Sequence, residues 1–341
     1  MTVLHVLLIG AGTMGNVHGE AFATMENAVL AGIVDKNLDK AKNLAGKLQT
    51  KAFQTFEEAI KTLNKVDVVS ICLPTPFHKP FLKKAADQGL DVICEKPLAR
   101  NLDDAREMIE YCKKKDVKLF VGHVVRFFPE YVRAKKIIEE GTIGNTAVVR
   151  TFRGGGFPFG SDDWYADYEK SGGLVLDMII HDFDFLRWCF GEVERVYAKS
   201  IKDGNLKRID YSLVTLRFRN GVIAHVEGSW AHQTFTTRFE FAGQSGIIEH
   251  DSSKSVPVVF EGRKKSASGG GVAVPESPLK NNPYFVELDH FIHCIETGND
   301  PVVTAEDAYK AMEIALSALQ SIETGREVVI NENQKEEAQI R

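Results

Sequence analysis

Val3-Leu4-His5-Val6-Leu7-Leu8-Ile9 runs directly into Gly10-Ala11-Gly12-Thr13-Met14-Gly15, and this junction decides the fold. The mostly apolar stretch reads as a buried strand, and the glycines open a helix over Met14–Met25. A strand, a G-x-G-x-x-G turn and a helix, in that order, form the entry to a dinucleotide-binding βαβ unit. The first glycine permits the tight turn, the second admits a pyrophosphate, and the third lets helix and strand pack closely. Backbone N–H groups and the positive end of the helix dipole then favour phosphate, so Gly10, Gly12, Thr13, Met14 and Gly15 are candidate cofactor residues. Asp35 stands 20 residues after Gly15, at the end of a second strand, Ala28–Val34. An acid there accepts the ribose hydroxyls and repels a 2′-phosphate, which points to NAD. Lys36, a neighbouring cation that would tolerate the extra phosphate, keeps NADP open.

Working outward, strand and helix patterns alternate through the first 122 residues. Leu38, Ala41, Ala45 and Leu48 recur at helical spacing, and Thr55 with Glu58 forms a capping box. Val66–Leu73 is mostly apolar, as a strand buried on both faces should be. Lys79–Gln88 is a helix stopped by Gly89, Asp91–Cys94 a strand, Leu102–Lys115 a helix capped by Asn101, and Lys118–Val121 a strand. The expectation is an α/β Rossmann domain over 1–122 with a doubly wound parallel sheet.

The pattern then changes. A helix near Pro129–Glu140, a strand at Ala147–Arg153 and a Gly- and aromatic-rich loop, Gly154–Tyr165, precede a helix over Leu176–Phe190. From Val193 to Phe260 strands follow one another, with Asn220–Gly221 marking a hairpin between Tyr211–Phe218 and Val222–Val226. Lys264–Pro283 reads as a surface loop, Tyr284–Thr297 and Ala305–Thr324 as helices, and the tail from Asn331 as polar. Residues 123–341 are therefore expected to form an α+β domain with a large, open, mainly antiparallel sheet.

Lysine and arginine number 42 against 47 acids, a net charge of −5, which excludes non-specific binding to nucleic acid or an anionic membrane. No apolar run approaches the ~18 residues of a membrane span, and the start lacks a cationic leader and a small-residue cleavage site. Five widely spaced cysteines without a CxxC fit a reducing cytoplasm, and no His, Cys or acid spacing suggests a metal.

Two segments carry chemistry. Cys94-Glu95-Lys96-Pro97-Leu98 lies past the end of a parallel strand, at the ligand edge of an open α/β sheet. A lysine there can bind a substrate oxygen and stabilise a developing alkoxide. Asp177 and His181 are four apart within an apolar stretch and are expected on one helix face. The imidazole suits a general base, with the carboxylate orienting it, although spacing alone favours a structural hydrogen bond.

Together, Gly10–Gly15, Asp35, Leu73-Pro74-Thr75-Pro76-Phe77-His78, Glu95-Lys96-Pro97 and the Gly172-Gly173-x3-Asp177-x3-His181 helix resemble the Gfo/Idh/MocA oxidoreductase family over nearly the whole chain. The resemblance implies a Rossmann domain for NAD or NADP and a second domain for substrate whose open sheet often builds homodimers or homotetramers. It implies a catalytic set of Lys96, Asp177 and His181, and cofactor contacts from Leu73, Pro74, Thr75, His78, Glu95 and Lys96. It implies hydride exchange between the cofactor and a secondary alcohol or ketone of a sugar or cyclitol. Asp177-Met178-Ile179-Ile180-His181-Asp182-Phe183-Asp184 is similar to the inositol 2-dehydrogenase branch. That branch usually carries two arginines followed by Phe-Asp, and Tyr-Asp-Gln-Arg, where this chain has Val125-Arg126-Phe127-Phe128 and Phe235-Thr236-Thr237-Arg238. Arg126, Trp164 and Tyr165 are further substrate candidates, each with a packing role as the alternative. Two other readings within the family are a redox-neutral NAD-dependent glycosidase and a non-catalytic dinucleotide-sensing regulator.

Overall fold

The structure, a computed structural model, describes residues 3–201, 208–254 and 282–330. The expected tail from Asn331, the strand reading beyond 254 and the expected surface loop up to residue 281 lie outside these residues. The chain divides into two compact units.

The first unit is built on β1 (Leu4–Ile9), α1 (Thr13–Thr24), β2 (Ala28–Val34), α2 (Leu38–Leu48), β3 (Lys51–Phe53), α3 (Phe56–Thr62), β4 (Val68–Ile71), α4 (His78–Asp87), β5 (Asp91–Glu95), α5 (Leu102–Lys114) and β6 (Leu119–Gly122). Its six strands run parallel in the order β3-β2-β1-β4-β5-β6. All four residues of β4 are buried, as a central strand covered on both faces requires. The order reverses between β1 and β4, which opens a crevice at their carboxyl ends. The caps are local and match their sequence signals: Thr55 Oγ accepts the Glu58 N–H, and Asn101 Oδ1 accepts the Asp104 N–H.

This unit extends past the expected boundary at 122, running on to Pro129 and including 282–309. The reason is packing. In α10 (Pro283–Thr297), Leu288, Phe291 and Ile292 are fully buried in one core with Val6, Phe22, Leu44 and Phe120. The Phe120 and Phe291 rings lie 5.1 Å apart.

The second unit contains α6 (Pro129–Glu139) from Glu130 onward, β7 (Thr146–Gly156), α7 (Tyr168–Ser171), α8 (Gly173–Asp177), α9 (Ile180–Phe190), β8 (Val193–Ile201), β9 (Tyr211–Phe218), β10 (Ile223–Ser229), β11 (Ala231–Gly243) and β12 (Ile247–Asp251). It takes α11 (Ala305–Thr324) from Lys310, together with β13 (Val328–Val329). Its seven-stranded sheet has the order β12-β11-β7-β10-β9-β8-β13 and is antiparallel except where β7 meets β10. Ser212, Val214, Leu216 and Phe218 of β9 are buried, whereas Leu213 and Arg217 between them are exposed. One face thus lies on a core and the other stands open. The core is aromatic: Tyr131 meets Phe185 edge-on at 4.8 Å, and Phe185, Phe239 and Phe241 stack.

Candidate active site

In the first unit the glycine loop begins where β1 ends. Gly10 has φ +103°, and a Cβ there would collide with the carbonyl oxygen of Cys72, just past β4. A Cβ on Gly15 would strike the Gly10 carbonyl. At Gly12, by contrast, a Cβ would meet no protein atom within 4 Å. Packing does not demand glycine at that position, and the open space leaves the backbone accessible to a ligand. Gly12 is also the N-cap of α1 and makes no side-chain cap bond, so anionic oxygens can supply what the cap omits. Asp35 Oδ2 accepts the Ala11 N–H at 2.8 Å and Oδ1 accepts the Asn37 N–H at 2.8 Å. The carboxylate is thereby anchored to the glycine loop, and Lys36 beside it is exposed. These donors and acceptors fit a nicotinamide dinucleotide.

The next loops along the crevice are tied together by His78. Its Nε2 lies 2.8 Å from the Leu73 carbonyl and its Nδ1 3.0 Å from that of Pro97. Burial pushes its pKa down. His78, expected as a cofactor contact, braces the Leu73–Thr75 and Pro97–Leu98 segments, since both ring nitrogens face backbone. Lys96 follows β5, and the Lys96–Pro97 peptide is cis. Glu95, also expected at the cofactor, is buried, and its oxygens face the His18 ring and the Lys96 N–H. Arg126 is 3% exposed and donates to the Val302 carbonyl at 2.8 Å, with Asp307 at 3.5 Å. That guanidinium anchors the segment before α11, the second of the two roles open to it.

In the second unit, Gly172 and Gly173 take left-handed φ of +75° and +64°, and α8 starts there. Asp177 closes α8 and His181 lies in the first turn of α9, so the expected unbroken helix over Leu176–Phe190 is corrected. The break has a cause in hydrogen bonding. Both the Met178 and Ile179 N–H groups donate to the Leu174 carbonyl, and the second bond spans five residues. Such π-type insertions concentrate at functional sites. From Ser171 to Leu186 every residue is buried except His181, which is half-buried. A single half-buried imidazole thus stands in an apolar stretch that also buries Asp177, Asp182 and Asp184.

Two features escaped the sequence reading. Arg153 Nε donates to Asp182 Oδ2 at 2.6 Å, and its Nη2 lies 3.2 Å from the Tyr131 hydroxyl, all three residues being buried. The available signal was an arginine in phase with Val149 and Thr151 on the inward face of β7, a position that demands a buried acid. The other feature is His18, whose partners are Ser70 and Glu95. Tyr165 is buried in a cluster with Phe157, Leu174, Met178 and Trp230, as its packing alternative expects. The Trp164 ring leans on it at 4.1 Å.

Comparison with known proteins places these features in a family. Residues 4–123 match the GFO/IDH/MocA oxidoreductase family with its NAD-binding Rossmann fold, and residues 131–249 match the GFO/IDH/MocA C-terminal domain. The myo-inositol 2-dehydrogenase of Thermotoga maritima is 33% identical over 96% of this chain and 99% of its own. The scyllo-inositol 2-dehydrogenase (NAD(+)) of Bacillus subtilis is 28% identical, covering 95% of each chain. A crystal structure of a probable dehydrogenase from Thermotoga maritima superposes with a TM-score of 0.82 at 32% identity, over 96% of this chain and 98% of that one. With both halves matched, the chain belongs to the GFO/IDH/MocA oxidoreductase family and carries its NAD-binding Rossmann fold.

Proposed function

We propose that the protein is a dehydrogenase that oxidises a secondary alcohol of a polyol or sugar, with NAD preferred over NADP. The open space at Gly12, the Asp35 carboxylate and the likeness to an NAD(+)-dependent inositol dehydrogenase support the cofactor reading. Gly10, Gly12, Thr13, Met14 and Gly15 hold the pyrophosphate, Asp35 takes the ribose hydroxyls, and Leu73, Pro74 and Thr75 line the same crevice. A nicotinamide held there would supply the hydride acceptor.

The chain's own residues handle the proton and the charge. His181 removes the hydroxyl proton and Asp177 orients the ring. Lys96 holds the alcohol oxygen and stabilises the negative charge that develops on it. Trp164 remains a candidate for stacking on a sugar face. The first unit serves as the cofactor half and the second as the substrate half, and the open sheet face is the surface through which two or four copies assemble.

The observation that carries this reading is the partial exposure of His181 in an otherwise buried stretch beside buried carboxylates. It is tested by offering inositols, aldoses and nucleotide sugars with NAD or NADP and following the absorbance of reduced nicotinamide. NAD-linked turnover of a polyol or aldose supports the proposal. Turnover with NADP alone overturns the Asp35 argument, and tightly held cofactor with no net reduction favours a redox-neutral enzyme.

A further inference from the structure

His18 lies on α1, in the turn after Gly15, and is 1% exposed. Its Nδ1 is 2.9 Å from Ser70 Oγ on β4, and its Nε2 is 3.0 Å from Glu95 Oε1 at the end of β5. The second oxygen of Glu95 accepts the backbone N–H of Lys96 at 3.2 Å. Cys72 and His78 also bear electrostatically on this pair. A Cβ on Gly122 would stand 3.5 Å from Glu95 Oε1 and 3.7 Å from Glu287 Oε2, so a second buried carboxylate, from α10, approaches the same point.

Burying a charged pair is costly, and apolar residues of the same volume would hold the sheet and helix together as well or better. His18 and Glu95 are too buried to touch a substrate. What the pair does hold is the residue after β5. His18 draws Glu95 to one side, and Glu95 in turn fixes the N–H of Lys96. Because His18 rides on the helix that opens at the glycine loop, the same bond fastens the lysine's backbone to that loop.

We propose that His18 is a positioning residue: through Glu95 it sets the placement of Lys96 relative to the glycine loop. The inference rests on Lys96 being the oxygen-holding group proposed above. The experiment compares the full-length wild type with H18Q, E95Q, K96A and H18Q/K96A. In the cofactor-free protein, hydrogen exchange should quicken in the peptide covering 95–98 of H18Q and E95Q while β1 stays protected. With substrate, kcat should fall about 10- to 100-fold in H18Q and E95Q, the scale of a misplaced catalytic group, with the dissociation constant for NAD changed less than about threefold. H18Q/K96A should be no slower than K96A. Wild-type kcat and exchange in H18Q beside a crippled K96A overturns this inference alone. Wild-type turnover in K96A overturns the assignment of Lys96 itself. If H18Q does not fold, E95Q decides: unchanged kcat and exchange there overturn the positioning role.

Discussion

Arg153 on β7 grips Asp182, the residue following His181, through a 2.6 Å bond from Nε to Oδ2, both side chains being shut away from solvent. A buried pair is most sensitive to losing one member, because the survivor keeps an uncompensated charge. Arg153→Met should therefore cost about 3–5 kcal/mol of stability in urea denaturation, while the double replacement Arg153→Met with Asp182→Leu recovers most of that loss. Equal stability of single and double variants would show that the pair is not coupled.

Phe291 illustrates how a segment distant in sequence completes the first unit. It is fully buried against Phe120, on a helix whose own amphipathic pattern does not say which core it serves. Phe291→Ala should cost about 3–5 kcal/mol by denaturant titration, the usual penalty for deleting a buried aromatic ring. A loss below about 1 kcal/mol would mean that α10 packs only loosely on this sheet.

The His18–Glu95 pair gives stability a pH dependence of definite sign. Burial alone would lower the pKa of His18, but its bonded neighbours, the Glu95 carboxylate among them, outweigh it and raise the value above 6.5. Burial alone would raise the Glu95 pKa, but its bond to His18 outweighs that and lowers it. A raised histidine contributes fully below its unfolded value and loses that contribution as pH climbs toward the folded value. The stability advantage of wild type over H18Q should accordingly be largest near pH 6 and shrink steadily toward pH 10, measured by urea titration across that range. An advantage that grows with pH would contradict a charged His18.

Asp35 Oδ2 accepts the Ala11 N–H, so replacing it should both loosen the glycine loop and remove the ribose acceptor. Asp35→Ser is expected to weaken NAD binding by about 10- to 100-fold, the worth of hydrogen bonds to a charged group, while NADP loses less. Fluorescence titration with both dinucleotides checks this. An unchanged preference would remove Asp35 from the ribose site.

Much of the first unit was legible because its signals are local. The glycine loop, the Asn101 and Thr55 caps and the mostly apolar run around β4 each announce themselves within a few residues. The three-residue β3 is too short to show a period, and it forms by pairing with β2. The break between Asp177 and His181 left no trace, since neither Gly nor Pro interrupts Leu174–Leu186 and the extra residue is accommodated by a shared carbonyl. His78, Glu95 and Arg126 were recognised as notable residues, but their partners come from other turns and strands, so spacing could not separate bracing from ligand contact. His18 and Arg153 were invisible as functional residues for the same reason: a buried polar group takes its meaning from its partner.

The claim on which the account turns is that His181 takes the proton from the substrate hydroxyl. The direct measurement is steady-state turnover of His181→Ala with NAD and an active polyol or sugar, beside a fluorescence titration of NAD binding. The account predicts a fall in kcat of about 10²- to 10⁴-fold with NAD affinity nearly unchanged. Turnover close to wild type in that variant would contradict it.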